Sequence, residues 1–262
     1  MKLTDKQIAL YNEQGYLFVP EAIPAAEIAV VRDHVSDLVG ATRDAVIAEA
    51  DGKTIRSVLN AHEYDDVVDR FIRHEAVIEP AMQLVGTPLY TFQSILNVKR
   101  AFDGAQWQWH QDYPTYKVDD GMKEPRAVNA MIFVDEVTEF NGPLMMVPAS
   151  HASLFMPEIP EYDTKITTYP HGRYPDVEWV KPVMLANGLL APKGPAGSII
   201  FMHLLTVHGS GPNMSPWHRS VMSLTLNSVE NKAEGTVRGP AVCHDYTPIR
   251  SLPGSALLEL TG

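Results

Sequence analysis

Apolar residues in the first third of the chain recur at helical spacing. Ile28, Val31, Val35 and Leu38 return every three or four positions and Gly40 follows where a helix would stop, so a helix is expected from about Ala25 to Val39. A second stripe through Val68, Phe71, Ile72 and Ile78 implies more helix, with Pro80 breaking or kinking it before Ala81 to Val85 resumes. Residues 1–86 therefore read as mostly helical support. After Gly86 the period drops to two, with Gln93, Ile95, Asn97 and Lys99 on one face and Phe92, Ser94, Leu96 and Val98 on the other. Val128 to Val134, Pro143 to Val147, Ser198 to Met202 and Arg219 to Asn227 repeat this pattern between Gly, Pro, Asn or Asp.

Short strands joined by turns, with no helical pattern between them, predict a mainly β fold with flanking helices: an antiparallel sandwich or jelly roll. The last strand is the most informative. Arg219, Val221, Ser223, Thr225 and Asn227 share one parity and Met222, Leu224 and Leu226 the other. In a barrel whose outside is covered by helices, the polar parity points inward, toward a cofactor or substrate. Pro, Tyr and Asp cluster from Met156 to Val183, so a loop inserted at about 151–191 is expected, and it is a candidate lid.

Composition narrows the class. A chain of 262 residues, 45% hydrophobic, suits one domain, 1–262. Its 21 Lys and Arg against 32 Asp and Glu give a net charge of −11, which disfavours phosphate backbones and anionic membranes as partners and leaves a small-molecule substrate. The single cysteine, Cys243, cannot form an internal disulfide. With a charged start and no membrane-length apolar run, the expected setting is cytoplasmic.

Candidate chemistry centres on Trp107-Gln-Trp-His110-Gln-Asp112-Tyr113. On a strand, His110 and Asp112 would project from one face with Gln111 turned away. Imidazole and carboxylate together suit iron(II), and two ligands from one strand plus a third, His208, would occupy one face of an octahedron. His-X-Asp alone is a weak motif. Arg219, eleven residues beyond His208 on the inward parity, strengthens it. A guanidinium is a planar fork matched to a carboxylate, so one beside an open iron site suits a dicarboxylate that also chelates metal, such as 2-oxoglutarate.

His110-Gln-Asp-Tyr, Asp120-Gly-Met, Asn141-Gly-Pro-Leu, Val147-Pro-Ala-Ser-His151 and His208-Gly-Ser-Gly-Pro-Asn-Met-Ser-Pro with Arg219 resemble the phytanoyl-CoA dioxygenase superfamily. Within it they are similar to the bacterial branch of ectoine hydroxylase and free amino-acid hydroxylases acting on proline or leucine, from Gly15-Tyr16 to Thr247-Pro248. The resemblance implies a double-stranded β-helix, cupin-like. It implies His110, Asp112 and His208 as Fe(II) ligands, Arg219 on the distal carboxylate of 2-oxoglutarate, and Gln93, Lys99 and Ser210 along the cosubstrate pocket. The implied activity is O2-dependent hydroxylation of an unactivated C–H bond, with release of succinate and CO2. The implied substrate is an amino acid or an amino-acid-derived natural-product intermediate. Halogenating relatives lack the carboxylate ligand, whereas this chain keeps Asp112.

Departures concern the substrate. Where relatives carry an Arg before Asp-X-Thr-Pro, this chain has His244, and the usual stacking Trp is Tyr116. Met202 and Ser223 stand at positions that cage ectoine, which argues against ectoine itself. Trp107, Tyr113, Tyr116, Arg126 and His244 are the substrate-side candidates. Trp107 and Trp109 suit core as well as pocket, Arg126 suits a surface pair as well, His151 reads as a turn residue capping a backbone group, and His203 and His218 read as structural. Competing readings are desaturation or ring formation on a larger secondary metabolite, another metal enzyme on the same barrel, and a catalytically silent jelly-roll binding protein.

Overall fold

A computed structural model describes residues 1–41, 45–153 and 173–261. The N-terminal part runs α1 (Asp5–Gln14), β1 (Tyr16–Val19), α2 (Ala25–Ala41), β2 (Val46–Ala48), β3 (Ile55–Leu59), a 3-10 turn (Ala61–Glu63), α3 (Asp66–Ile72) and α4 (Glu75–Val85). There follow β4 (Leu89–Lys99), β5 (Trp107–His110), α5 (Asp112–Asp119), β6 (Ala127–Phe133), β7 (Leu144–Met146), α6 (Ser150–Ser153) and α7 (Val177–Asn187). The chain closes with β8 (Ile199–His203), β9 (His208–Ser210), β10 (Arg219–Ser228), a 3-10 turn (Gly239–Ala241) and α8 (Ser255–Leu258) running into Glu259–Thr261.

Ten strands form two sheets among the described residues, one of seven in the order β1-β8-β6-β10-β4-β3-β2 and one of three in the order β5-β9-β7. All the paired strands are antiparallel. This is the jelly-roll core, and the alternation read from the sequence decides which face of it meets which layer. Leu96 and Val98 of β4, Val128, Ala130 and Ile132 of β6, Ile199 and Phe201 of β8, and Met222, Leu224 and Leu226 of β10 share one core with Ile28, Val31 and Leu38 of α2, Phe71 and Ile72 of α3, and Val77, Ile78 and Ala81 of α4. The opposite parity, including Gln93, Ile95, Asn97, Asn129, Met131, Arg219 and Ser223, lines a cavity between the two sheets.

Residues 1–86 are mostly helical, and their short strands β1, β2 and β3 extend both edges of the large sheet. Two sequence expectations need correction. Helix does not break at Pro80: the interruption falls at Arg73 and His74, and α4 runs from Glu75 through the proline, with the His74 ring accepting from Ala76 N at 3.0 Å. The region taken as an inserted loop contains a helix, α7, capped by Asp176, whose side chain accepts from Glu178 N. Residues 154–172 of that region, and so most of the expected lid, lie outside the described residues. Among the described residues, no helix is long and apolar enough to cross a membrane.

The entry to β1 ties α1 to the site. Thr4 and Gln7 form a capping box at the start of α1, and Gly15 ends the helix with φ +77°. The Gly15 carbonyl accepts from His203 N and from Thr206 Oγ1, both at 2.8 Å, which fixes the turn between β8 and β9 that delivers His208. A Cβ at Gly15 would stand 2.4 Å from the His151 Nδ1, so the close approach itself requires glycine.

Candidate metal centre and its cavity

His110 and His208 lie opposite each other in the β5–β9 pairing, which brings their ring centroids to 4.2 Å. Asp112 reaches them differently from the expectation that it shares the strand. Strand β5 ends at His110. The amides of Asp112 and Tyr113 both donate to Leu204 O at 3.1 Å, and the chain bends there so that Asp112 is the first residue of α5. A helix N-terminus favours a carboxylate, so the bend also suits its charge. Asp112 Oδ1 stands 3.6 Å from His110 Nε2 and 3.7 Å from His208 Nε2.

Each ring is oriented by a backbone carbonyl. His110 Nδ1 lies 2.7 Å from Gln108 O and His208 Nδ1 3.0 Å from Thr206 O. Carbonyls only accept, so each Nδ1 carries a proton and each Nε2 offers its lone pair to the interior. Burial, reinforced by His208, pushes the His110 pKa down to about 4, which keeps the ring neutral. Asp112 Oδ2 accepts from Asn129 Nδ2 at 3.0 Å, and Asn129 Oδ1 accepts from Ser223 Oγ at 3.1 Å. The carboxylate is thus held from β6 and β10. Three donor atoms lying within 4.8 Å of one another, of His, His and Asp type, fit a first-row divalent metal that keeps its other positions open.

Basic side chains gather at and behind a second pole of the cavity, where Arg219 forms part of the wall. Arg219 faces Lys99 in the β10–β4 register, and its Nη2 donates to Gly142 O at 2.8 Å. The Asn141-Gly142 turn is built for this contact. Asn141 closes it by accepting from Thr138 N and donating to Glu136 O, and a Cβ at Gly142, with φ +73°, would meet Gly211 O at 2.8 Å. Lys99 Nζ donates to Gly211 O. Arg56 binds Glu49 at 3.0 Å and lies 3.8 Å over the Trp107 ring.

Neither Arg219 nor Lys99 has a carboxylate hydrogen-bond partner among the described residues. Burial, then Arg219 and Arg56, push the Lys99 pKa down to about 6; burial and Arg56 push that of Arg219 down to about 10. Arg219 Nε and Ser210 Oγ are buried and have no hydrogen-bond partner among the described residues. Buried donors left in this state lack an acceptor, and an anion supplies one.

The substrate-side candidates divide. Trp107 and Tyr116 line the cavity. Tyr113 does not: its hydroxyl donates to Lys123 O at 2.7 Å within a packed cluster. Arg126 pairs with Glu230 at 2.5 Å on the surface, and His244 is exposed, 3.3 Å from the Tyr246 hydroxyl. These three are corrected as cavity residues. Gln93 and Ser210 line the cavity, Trp109 packs with Val147, Val180 and Val207, and Ser223 faces inward while Met202 packs in an apolar cluster. His151 Nε2 lies 3.1 Å from Asn12 O, and the rings of His203 and His218 accept from Leu205 N and Ala101 N.

Sequence reasoning missed Asn129, Arg238, Arg173 and Tyr174. Arg238 lines the cavity with its guanidinium 4.9 Å from the centroid of Tyr116, and its Nε donates to Asp120 Oδ2 at 2.8 Å and its Nη2 to Gln93 Oε1 at 3.3 Å. Arg173 pairs with Asp119 at 2.6 Å, and Tyr174 lies edge-on to His110 with centroids 5.6 Å apart. An Asn inside the apolar strand Ala127–Phe133 was a legible signal; Arg238 follows the last strand in no periodic pattern.

The family model for phytanoyl-CoA dioxygenase matches residues 11–221. The chain belongs to that family. Among its relatives, L-proline trans-4-hydroxylase of Streptomyces griseoviridis is 32% identical over 247 residues, covering 91% of this chain and 92% of the relative. Ectoine dioxygenase of Halomonas elongata is 33% identical over 239 residues, covering 88% and 71% respectively. The crystal structure of EctD from S. alaskensis with 2-oxoglutarate and 5-hydroxyectoine superposes with a TM-score of 0.83 at 28% identity, covering 96% of this chain and 88% of that one. As a member of this dioxygenase family, the chain is an enzyme of the non-haem iron class.

Proposed function

We propose that this dioxygenase hydroxylates an unactivated C–H bond of a free amino acid or a close derivative. His110, Asp112 and His208 would hold Fe(II), and Arg219 would pair with the far carboxylate of 2-oxoglutarate. The observation that carries this reading is the pairing of two incomplete sites in one cavity. At one pole three ligand atoms converge, and at the other the buried Arg219 Nε and Ser210 Oγ have no hydrogen-bond partner among the described residues. A five-carbon keto diacid has an anionic tail for the second pole and chelating oxygens for the first.

With 2-oxoglutarate and dioxygen, bound ferrous ion supplies the oxidising power for C–H hydroxylation, releasing succinate and carbon dioxide. The chain's own residues set the geometry. The carbonyls of Gln108 and Thr206 hold both imidazoles in the ligating tautomer, Asn129 fixes the outer oxygen of Asp112, and Gly142 aims Arg219. The apolar walls given by Ile95, Met131 and Leu144 limit water around the reacting atoms.

Arg238 is the substrate-side anchor in this reading, in place of the exposed His244. It enters the cavity beside Tyr116 and Thr115, and the buried Asp120 that it binds has its Oδ1 without a hydrogen-bond partner among the described residues. A guanidinium that lines the cavity and is held in place by a buried carboxylate complements the carboxylate of an amino acid. The proline-hydroxylating and ectoine-oxidising relatives support this size and charge class.

Anaerobic protein given Fe(II) and 2-oxoglutarate should develop a weak visible charge-transfer band that shifts when a fitting amino acid is added. On admitting oxygen, succinate should form in step with a product one oxygen atom heavier. Arg238→Ala should raise KM for that amino acid while leaving KM for 2-oxoglutarate unchanged. No band with any 2-oxoglutarate concentration, or succinate release indifferent to every amino acid tried, would overturn the reading.

A further inference from the structure

Away from the cavity's triad, a second set of metal-ligating side chains converges. Ligand atoms of His62, Glu63 and Cys243 all lie within 4.8 Å of one another. They come from two segments remote in sequence: the 3-10 turn Ala61–Glu63, and the stretch that follows the 3-10 turn Gly239–Ala241. We infer that His62, Glu63 and Cys243 form a second metal site, for a borderline-to-soft divalent cation such as Zn(II).

The geometry is held by the fold rather than by the three side chains alone. Asn60, at φ +45°, stitches the segments together: its Nδ2 donates to Pro240 O at 2.9 Å, its Oδ1 accepts from Ser94 N at 2.9 Å, and its own amide donates to Ser94 O at 2.7 Å. Cys243 N donates to Phe92 O at 2.8 Å, so the cysteine is anchored to the same strand, β4. The His62 Nδ1 lies 2.8 Å from Ser94 Oγ, which orients the ring and leaves Nε2 as the ligating nitrogen. This is the arrangement in which one imidazole nitrogen is fixed by the protein and the other meets a metal.

The donor set also matches. Thiolate, imidazole and carboxylate together select zinc-like ions over magnesium or calcium, which prefer oxygen alone. The Cys243 thiol already hydrogen-bonds the Glu63 carboxylate. Glu63 is exposed, so water is at hand for a fourth position. Cys243 is buried and Glu63 exposed, so an ion has an entry path from solvent on the carboxylate side. On binding, the sulfur–metal bond forms as the thiol proton leaves to solvent. The site stands five residues after Arg238, so a bound ion would tie down the segment that carries this cavity residue.

The chain's one cysteine makes the test selective. Cobalt(II) titrated anaerobically into the full-length protein should raise a near-ultraviolet thiolate-to-cobalt charge-transfer band that saturates as the sulfur site fills, whatever cobalt the triad also takes, and is displaced by Zn(II). The iron triad contains no sulfur and cannot produce it, so His208→Ala should keep the band. Cys243→Ser should abolish it, and His62→Ala should weaken cobalt binding at least about tenfold. Absence of the band would overturn the inference, as would a band of unchanged affinity in His62→Ala, since that would be a thiol acting alone. The outcome is independent of whether the amino-acid substrate reading holds.

Discussion

Asn129 holds the outer oxygen of Asp112 from a neighbouring strand, so one amide decides which carboxylate oxygen faces the two imidazoles. Asn129→Ala should lower Fe(II) affinity by about 10- to 100-fold, read from the iron dependence of activity. Arg219→Ala removes a charge-assisted contact and should raise KM for 2-oxoglutarate by about 10- to 100-fold, with a smaller change in kcat at saturation. Lys99 adds a sign that can be checked. Its pKa is depressed by burial, then by Arg219 and Arg56, to about 6, so from about 6 up to the ordinary lysine value the unfolded chain binds more protons than the folded one. Stability should therefore rise with pH across that window and be lost as pH falls toward 6. Lys99→Met should flatten this slope and raise Tm of the ligand-free protein, while weakening 2-oxoglutarate binding. Calorimetry across that pH range and a binding titration read the two effects separately.

At the level of single elements, strand β10 separates packing from chemistry by parity. Leu224, fully buried toward the helices, should cost about 2 to 5 kcal/mol in denaturant-measured stability when changed to Ala. Ser223→Ala, one position away on the cavity face, should cost about 0.5 to 1.5 kcal/mol and act mainly on iron-dependent turnover through Asn129. The same alternation explains why the inward faces of β4 and β10 were legible in the sequence: a two-residue period with polar groups on one side has few other meanings in a helix-covered sheet. The strand-to-helix bend at Gln111 was not legible, because it is fixed by Leu204 O accepting two amides from a segment some ninety residues away. Nor was Arg238, whose entry into the cavity depends on its long-range pairing with Asp120. Tyr113, Arg126 and His244 were misplaced for the same reason, since nearness to a motif along the chain says little about which way a side chain turns. Strands β1 to β3 escaped notice because they are only 3 to 5 residues long.

For the molecule as a whole, the proposed ligands come from β5, α5 and β9, so a bound metal would link these three elements. A cation bound only by the folded state adds about 2.7 kcal/mol at a free concentration one hundred times its Kd. Chelation should therefore abolish activity and lower Tm together, and Fe(II) should restore both, as thermal scans with and without chelator would record. Two of the cavity's guanidinium groups have different origins: Arg219 sits on a hydrogen-bonded strand of the large sheet, whereas Arg238 arrives on the chain that follows β10. On the proposed roles, recognition of the cosubstrate would be built into the frame and recognition of the target carried on the segment after it. Because Arg238 and Asn231 of that segment are bonded to Asp120, Gln93, Glu124 and Asn227, a change of selectivity there should come from single substitutions at cavity-facing positions rather than from swapping the whole stretch, which would pull its anchors with it.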